Sequence, residues 1–406
     1  MKSMKSNDTD TPIFRNARET NGMQTVFPSL NDQSVLVNSR SQFIDAYTSH
    51  KITVLSFICS LSVVLLHSYN WRFEANSQMS FNFFVENLFS NGLCRMAVPF
   101  FFFRAGYLFF ANVPEKFDWQ WFKRKVQTRF SSIFIPFLLW CILGFLIHTG
   151  WLLFLSARHN TNFVFYLDHP SPWITVFNTY FLGIGGDPLI HLWFLRRLML
   201  FVLLSPIILL LMQRLRLKAF LVVSIIFVCT VKILGLQWLR YINGDMFCYL
   251  LGSGLAINRI RLKNTDRMIT GFSCFVLWVL FVILVFLSER YVNFPVFIKF
   301  LLIEIRNLWG IIAVWMVYDS SKIVASKHGT IHIPSPRKII HLSFFIYCCH
   351  IPAMGIIEHI LALTAPFECI RYIGTFSLTA IYAILFGLLL NRYVPRLFSA
   401  LAGART

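Results

Sequence analysis

Long apolar runs separated by short polar stretches dominate this 406-residue chain. A helix needs about 20 apolar residues to cross a bilayer, and runs near that length recur from residue 52 to residue 393. The pattern predicts an all-α, polytopic membrane helix bundle with about ten transmembrane helices. The predicted spans are 52–70, 84–111, 130–153, 190–212, 219–236, 242–257, 269–288, 300–318, 339–362 and 373–393.

Composition agrees with that prediction. Hydrophobic residues make up 56% of the chain and charged residues 14%, whereas about a quarter of the residues of a soluble protein are charged. An ordinary soluble enzyme is therefore excluded. Residues 1–50 lack an apolar run and are predicted to form a flexible cytoplasmic tail, 51–395 to form the transmembrane domain, and 396–406 to form a cytoplasmic C-terminal tail.

The net charge of +19 is interpreted through its distribution rather than as a nucleic-acid signal. With both termini inside, about sixteen Lys and Arg residues fall in the inner loops and six in the outer loops. Because basic residues concentrate on the cytoplasmic side of membrane proteins, we expect cytoplasmic termini and a multi-pass protein of the inner (plasma) membrane. We expect no nucleic-acid partner.

Many ionisable residues interrupt the apolar spans. A charge near the bilayer centre costs at least about 2.5–3.5 kcal/mol, so each such residue is a functional candidate. Most of them fall in one band in the outer half of the predicted bundle, which suggests a polar cavity. Arg104 and Lys232 are alternatively expected to extend to the nearest interface, and of adjacent Arg196 and Arg197 only one can face the cavity. The candidates are His67, Glu86, Arg95, Arg104, Arg196, Arg197, Lys232, Glu304, Arg306, His350, Glu358 and His359.

Histidine and arginine together favour acyl transfer. A His near its usual pKa of about 6.5 can accept and return a proton, and arginines bind phosphates or a developing oxyanion. His67 is the predicted base that takes the hydroxyl proton. No motif for nucleotide hydrolysis or zinc catalysis is found in the sequence, so we expect no metal site.

Several stretches carry a resemblance to a known family. They are FICSLSVVLLHSYN, which ends near His67; CRMAVPFFFFRAGYLFF, with Arg95, Ala97, Val98, Pro99 and Gly106; KRKVQTRFSSIFIPFLLW, with Arg129 and Pro136; and HLWFLRRLML and SFFIYCCHIP, with His191, Trp193, Arg196, Ser343, Tyr347 and His350. From about residue 48 to 395 the chain resembles the membrane-bound acyltransferase 3 family, whose bacterial members typically O-acylate surface polysaccharides and other exported glycans.

The resemblance implies a membrane O-acyltransferase that takes an acyl group, here expected to be acetyl, from cytoplasmic acyl-CoA. The acceptor would be a glycan or lipid-linked saccharide near the outer face, and no cofactor would be permanently bound. His67 would be the general base. The other assignments are Arg95 as a catalytic residue that stabilises charge, Arg196, Glu304, Arg306 and His350 as substrate-binding residues, and Arg124 and Arg129 as acyl-donor-binding residues.

One position departs from the family pattern. Members often carry Arg or Lys eleven positions before the catalytic His, where this chain has Ser56. The nearest basic residue on that side, Lys51, lies five residues away, or about 7.5 Å along a helix. An inactive family member therefore remains an alternative. A transporter or flippase for an anionic glycan or lipid is a second alternative, because it would use the same arginines as a binding site and need no base.

Overall fold

The computed structural model describes residues 43–68, 81–114, 117–159, 172–183, 189–234, 244–265, 267–292, 294–327, 337–365 and 367–403. The described part of the chain is helical and contains no strand. Most of the predicted N-terminal tail lies outside the described residues, as do residues 160–171 and 184–188 between the third and fourth predicted spans. The helices are α1 Ala46–His67, α2 Phe81–Glu86, α3 Ala97–Phe110, α4 Trp119–Arg129, α5 Ile135–His159, α6 Pro172–Val176, α7 Trp193–Leu203, α8 Ser205–Arg214, α9 Leu217–Ile233, α10 Gly244–Ile257, α11 Met268–Arg290, α12 Val296–Lys327, α13 Arg337–Ile340, α14 Ser343–Thr364, α15 Glu368–Tyr393 and α16 Pro395–Ala402.

The protein is a multi-pass membrane protein, as its apolar pattern predicts. Among the described residues, six helical segments are long and apolar enough to cross a bilayer, and two bent helix pairs bring the number to as many as eight. Two shorter apolar helices, Leu217–Val231 and Gly244–Ile257, occupy the fifth and sixth predicted spans. The count of ten and the side of the termini therefore stay predictions.

A capped helix start and a short terminal helix lie at the two ends of the described bundle, and the domain boundaries stay predictions. The first helix begins at Ala46 rather than after residue 50, because the Asp45 carboxylate accepts a hydrogen bond from the Thr48 amide and caps it. At the other end, residues expected in the tail form α16, whose Phe398 and Leu401 are buried. Their apolar spacing gives α16 a face that packs on the bundle.

Three short irregular turns interrupt the helices near the arginines. A π-helical turn spans Asn87–Gly92 and a 3-10 turn spans Leu93–Met96, between α2 and α3. A second π-helical turn, Phe130–Phe134, lies between α4 and α5 directly after Arg129. Such π-helical turns are frequent at functional sites because they redirect the side chains around them.

A close approach of α3 and α10 forms the centre of the bundle. Gly106 of α3 faces the Tyr249 carbonyl of α10, and Gly252 of α10 faces the Phe103 carbonyl of α3. A Cβ atom at either glycine would overlap that carbonyl. Small residues allow this kind of contact in membrane bundles, and the contact keeps α3 beside α10 and in register with it.

A buried ion pair joins α1 to α12. Lys51 Nζ lies 2.6 Å from the Asp319 carboxylate, and the two side chains are 0% and 2% exposed. Asp319 also accepts hydrogen bonds from the Tyr47 hydroxyl and the Thr265 amide. This network occupies the N-terminal end of α1, so Lys51 is committed to α12.

Candidate functional site

Three histidines from separate elements meet at the C-terminal end of α1. The centre of the His350 ring, in α14, lies 5.4 Å from the centre of the His67 ring and 4.8 Å from that of His191. His191 belongs to the 3-10 turn Ile190–Leu192, which precedes α7. His191 and His350 are buried and His67 is partly exposed.

Hydrogen bonds to backbone carbonyls define the ring nitrogens that stay available. His191 Nε2 lies 3.0 Å from the Cys348 carbonyl, and His350 Nδ1 lies 2.8 Å from the Tyr347 carbonyl. A carbonyl only accepts, so these nitrogens carry the hydrogens. Among the described residues, His191 Nδ1 and His350 Nε2 have no partner and are buried. In the neutral rings both nitrogens are acceptors, suited to a hydroxyl group.

Tyr347 connects the histidines to a cleft. Its hydroxyl donates to the His191 carbonyl, and its ring centre lies 5.7 Å from that of His191. The other side of Tyr347 lines a cleft of about 530 Å³, together with Ser60, Phe101, Arg104, Arg129 and Ser343. Tyr347 is thus a wall shared by the histidine cluster and the cleft.

The cleft extends toward the N-terminal half of α1. A second part of about 760 Å³ shares Arg104, Leu108 and Ser343 with the first and reaches Ser49 and Thr53. Ser56, Ser60 and His67 lie four and seven positions apart, which places them on one face of the helix. The same face of α1 therefore carries the cleft and His67, which lies about 10 Å from Ser60 and about 16 Å from Ser56 along the axis.

Arg95 and Arg306 meet near His67. Arg95 Nη2 donates to Asn91 Oδ1 at 2.8 Å, and Arg306 Nη1 donates to the Asn91 carbonyl at 3.1 Å. Arg95 lies close enough to His67 and to Arg306 for direct electrostatic interaction. The π-helical turn that contains Asn91 thus brings two positive charges to the end of α1 where His67 lies.

The other predicted substrate-binding residues are dispersed around this site. Arg196 interacts electrostatically with His191, and its Nη1 lies 3.4 Å from the Phe181 carbonyl. The Glu304 carboxylate lies against the backbone of Gly244 and interacts electrostatically with Arg306. Positions 304 and 306 are two apart on a helix, so their side chains diverge.

Two arginines within apolar spans have partners on neighbouring helices. Arg197 pairs with Asp245 at 3.0 Å and lies 4.3 Å from the centre of the Trp193 ring. Arg104 lines the cleft and donates to Ser56 Oγ at 2.5 Å. Each finds a partner on a neighbouring helix, which the pattern of one helix does not reveal. The side chain of Lys232 lies outside the described residues.

The two predicted donor-binding residues, Arg124 and Arg129, do not lie in the same place. Arg129 lines the cleft, whereas Arg124 is exposed and lies outside the lining of both parts. Five positions correspond to about 140° around a helix, so the two side chains leave α4 in different directions. Among the described residues, no group of His, Cys, Asp and Glu is arranged to hold a metal ion.

Sequence reasoning assigned no role in the site to His191 or Arg104. His191 was named only as part of the HLWFLRRLML motif. Its place in that motif, two residues before Trp193, is the sequence feature that could have indicated a site residue. Arg104 was visible as a charge within an apolar helix. In each case the contact that matters comes from another helix.

Comparisons with known proteins give one consistent result. A model for an acyltransferase domain, that of the acyltransferase 3 family, matches residues 50–392. The succinoglycan biosynthesis protein ExoH of Rhizobium meliloti (strain 1021) is 26% identical over 379 residues, which cover 89% of this chain and 94% of that protein. No solved structure matches the chain.

Proposed function

Because the chain belongs to the acyltransferase 3 family and is an acyltransferase, we propose that it transfers an acyl group from acyl-CoA to a hydroxyl of a glycan. The name of its relative ExoH, which refers to succinoglycan biosynthesis, supports a polysaccharide or its lipid-linked precursor as acceptor. We further propose acetyl as the acyl group and the inner membrane as the location, with the donor on the cytoplasmic side.

The observation that carries this proposal is the position of His67 between two cationic places. On one side the cleft presents Arg104 and Arg129. On the other side Arg95 and Arg306 lie around Asn91. A donor that carries phosphates fits the first place, and the acceptor and the charge that develops during transfer fit the second.

In the proposed mechanism, His67 removes the proton from the acceptor hydroxyl. The oxygen then attacks the thioester carbonyl carbon and forms a tetrahedral oxyanion, which Arg95 stabilises. The intermediate collapses to the ester and expels the CoA thiolate, which takes the proton back from His67. The proton of the acceptor hydroxyl therefore leaves with the CoA thiol, and the proposed reaction uses no metal or bound cofactor.

The two buried histidines orient the acceptor. His350 Nε2 and His191 Nδ1 have no partner among the described residues, and each can accept a hydrogen bond from a sugar hydroxyl. Leaving them unpaired costs free energy, so an acceptor that supplies the missing donors is preferred to one that does not. Arg196, which interacts electrostatically with His191, adds positive charge at this end of the site.

The test is mass spectrometry of surface glycans from a deletion strain complemented with wild type, His67→Ala or His359→Ala. His359 is exposed on α14, outside the site, and serves as the matched control. Wild type and His359→Ala should restore a fixed acyl mass on the glycan. His67→Ala should not, because a positioned base contributes about 100- to 10,000-fold to such a step.

The same variants are then assayed as purified protein in lipid nanodiscs with radiolabelled acetyl-CoA and the isolated glycan. Transfer by His67→Ala at the wild-type rate would exclude His67 as the base. A glycan with identical acylation in the deletion and wild-type strains would exclude it as the acceptor.

A further inference from the structure

The cleft beside α1 contains two like charges. Arg104 and Arg129 both line its first part and are close enough for mutual electrostatic interaction. Across the described lining of both parts, the remaining residues are apolar, hydroxyl-bearing or His341, and none is a carboxylate. Two guanidinium groups facing one cleft without an acidic partner favour the binding of an anion.

Arg104 is held toward the cleft by α1. Its Nη1 donates to Ser56 Oγ, and Ser56 Oγ in turn donates to the Ile52 carbonyl at 2.5 Å. That hydroxyl is the one hydrogen-bond partner of the Arg104 guanidinium within the described part of the chain. Most of the five N–H donors of the guanidinium therefore remain available to a ligand.

Other basic residues nearby are engaged elsewhere or point away. Lys51 is buried against Asp319 and Trp315, and Arg124 is exposed outside the lining. Arg129 lies against the Phe109 ring, with its guanidinium carbon 6.0 Å from the ring centre. Among the described residues, Arg104 and Arg129 are thus the cations of the cleft.

Resting on the proposed function, we propose that Arg104, held by Ser56, binds the phosphates of the acyl donor together with Arg129. Ser56 lies eleven positions before His67, which corresponds to about 16 Å along α1. An extended pantetheine arm spans a distance of this order between the CoA pyrophosphate and the thioester. Phosphates at Arg104 therefore place the acyl carbonyl at the depth of His67, where Tyr347 lines the cleft on one side and contacts the histidine cluster on the other.

The phosphate-binding guanidinium is here supplied by Arg104 of α3. An arginine at position 56 of α1 could supply the same charge to the cleft. Because Ser56 Oγ lies 2.5 Å from the Arg104 guanidinium, an arginine side chain at position 56 would begin at the cleft itself. The exchange Ser56→Arg with Arg104→Ser therefore moves the guanidinium from one helix to the other while keeping both residue types. If Arg104 binds phosphate, the exchange variant should keep that function because a guanidinium remains at the cleft. Holding α3 against α1 would not require a positive charge.

The experiment compares two donors with wild type, Arg104→Gln, the exchange variant and the control Arg214→Gln. Arg214 is an exposed arginine at the end of α8. The donors are acetyl-CoA and acetyl-pantetheine, which lacks the nucleotide and all phosphates. Arg104→Gln should raise KM for acetyl-CoA by roughly 10- to 100-fold, as expected for a lost charge-assisted hydrogen bond, and leave KM for acetyl-pantetheine unchanged. The exchange variant should recover most of the affinity for acetyl-CoA.

Binding of CoA to nanodisc-embedded protein, measured by calorimetry in a His67→Ala background, separates this proposal from the proposed function. If the background protein binds CoA and Arg104→Gln binds it equally well, the role of Arg104 is wrong and the acyltransferase mechanism stands. An equal loss with both donors also overturns the role of Arg104, since it indicates a structural effect. If wild type neither binds CoA nor uses it, the proposed donor is wrong.

Discussion

Lys51 tests whether a buried charge near the cleft serves structure or substrate. It lies on α1 five residues before Ser56, and its Nζ lies 2.6 Å from Asp319 and 3.9 Å from the centre of the Trp315 ring. The positive charge of Lys51 is therefore paired within the protein. We expect Lys51→Met to lower stability while acyl transfer per folded molecule stays at the wild-type level.

The magnitude follows from the partners that remain after each change. Removing one member of a buried ion pair costs about 3–5 kcal/mol. After Lys51→Met, Asp319 still accepts from the Tyr47 hydroxyl and the Thr265 amide, so we expect about 3 kcal/mol. Asp319→Leu leaves Lys51 charged, with the Asn264 side-chain oxygen at 3.1 Å as its remaining acceptor, and leaves the Thr265 amide without its acceptor. We therefore expect about 5 kcal/mol.

The double variant Lys51→Met with Asp319→Leu sharpens the test. Replacing a whole buried pair by apolar side chains is often nearly neutral, and here Tyr47 and Thr265 still lose an acceptor. The double variant should therefore be more stable than Asp319→Leu alone, with a loss of about 2 kcal/mol from the unpaired donors.

Urea unfolding in detergent, followed by tryptophan fluorescence, gives the free energy of unfolding for the four proteins of this cycle. Transfer from acetyl-CoA is measured on the same samples and normalised to the folded fraction. Additive losses in the double variant would refute the ion-pair argument. A higher KM for acetyl-CoA in fully folded Lys51→Met would show that Lys51 contributes to donor binding.

Two further changes address packing and the histidine cluster. Gly106→Leu should force α3 away from α10, at a cost of about 1–3 kcal/mol or more, and lower the folded yield measured by fluorescence-detected size exclusion. Gly150→Leu is the control and should not lower the yield, because a Cβ at Gly150 meets open space. Equal yields for the two variants would contradict the close approach of α3 and α10. Tyr347→Phe removes the hydrogen bond to the His191 carbonyl, worth about 1 kcal/mol, and should reduce the acyl-transfer rate several-fold without changing KM for acetyl-CoA. A thermal unfolding scan checks that this variant is folded, and an unchanged transfer rate would remove Tyr347 from the site.

The long spans were predictable because their apolar runs exceed the bilayer thickness. Met268–Arg290 and Glu368–Tyr393 each contain one of the predicted segments, and Ala46–His67 covers most of the first. No neighbouring element is needed to recognise them. The fourth predicted span is different, since Ile190–Leu203 and Ser205–Arg214 meet at 53°. The bend depends on how Pro206 ends one helix and begins another, which hydropathy does not record.

The site was predictable only in part, for a related reason. The membrane position of His67 and His350 follows from counting along their spans, and both rings lie in one cluster. Their contact with His191 depends on the 3-10 turn before α7, and the partner of Arg104 lies on α1. A charge in an apolar helix has the same sequence pattern whether it reaches an interface or a neighbouring helix, so only tertiary packing separates the two.

The arrangement along α1 gives a physical reason for a cationic cleft on the helix face that also carries His67. Moving a phosphate through the hydrocarbon core is costly because an anion loses its hydration there. With the donor phosphates held at Arg104, on the proposal above, only the pantetheine arm and the acyl group enter the bundle toward His67. The acceptor approaches from the side of Arg95 and Arg306, so neither substrate's charged part has to cross. On that proposal, donor phosphates held beside Ser56, about 16 Å along α1 from His67, allow the acyl group to pass between compartments while both of its carriers stay where they are.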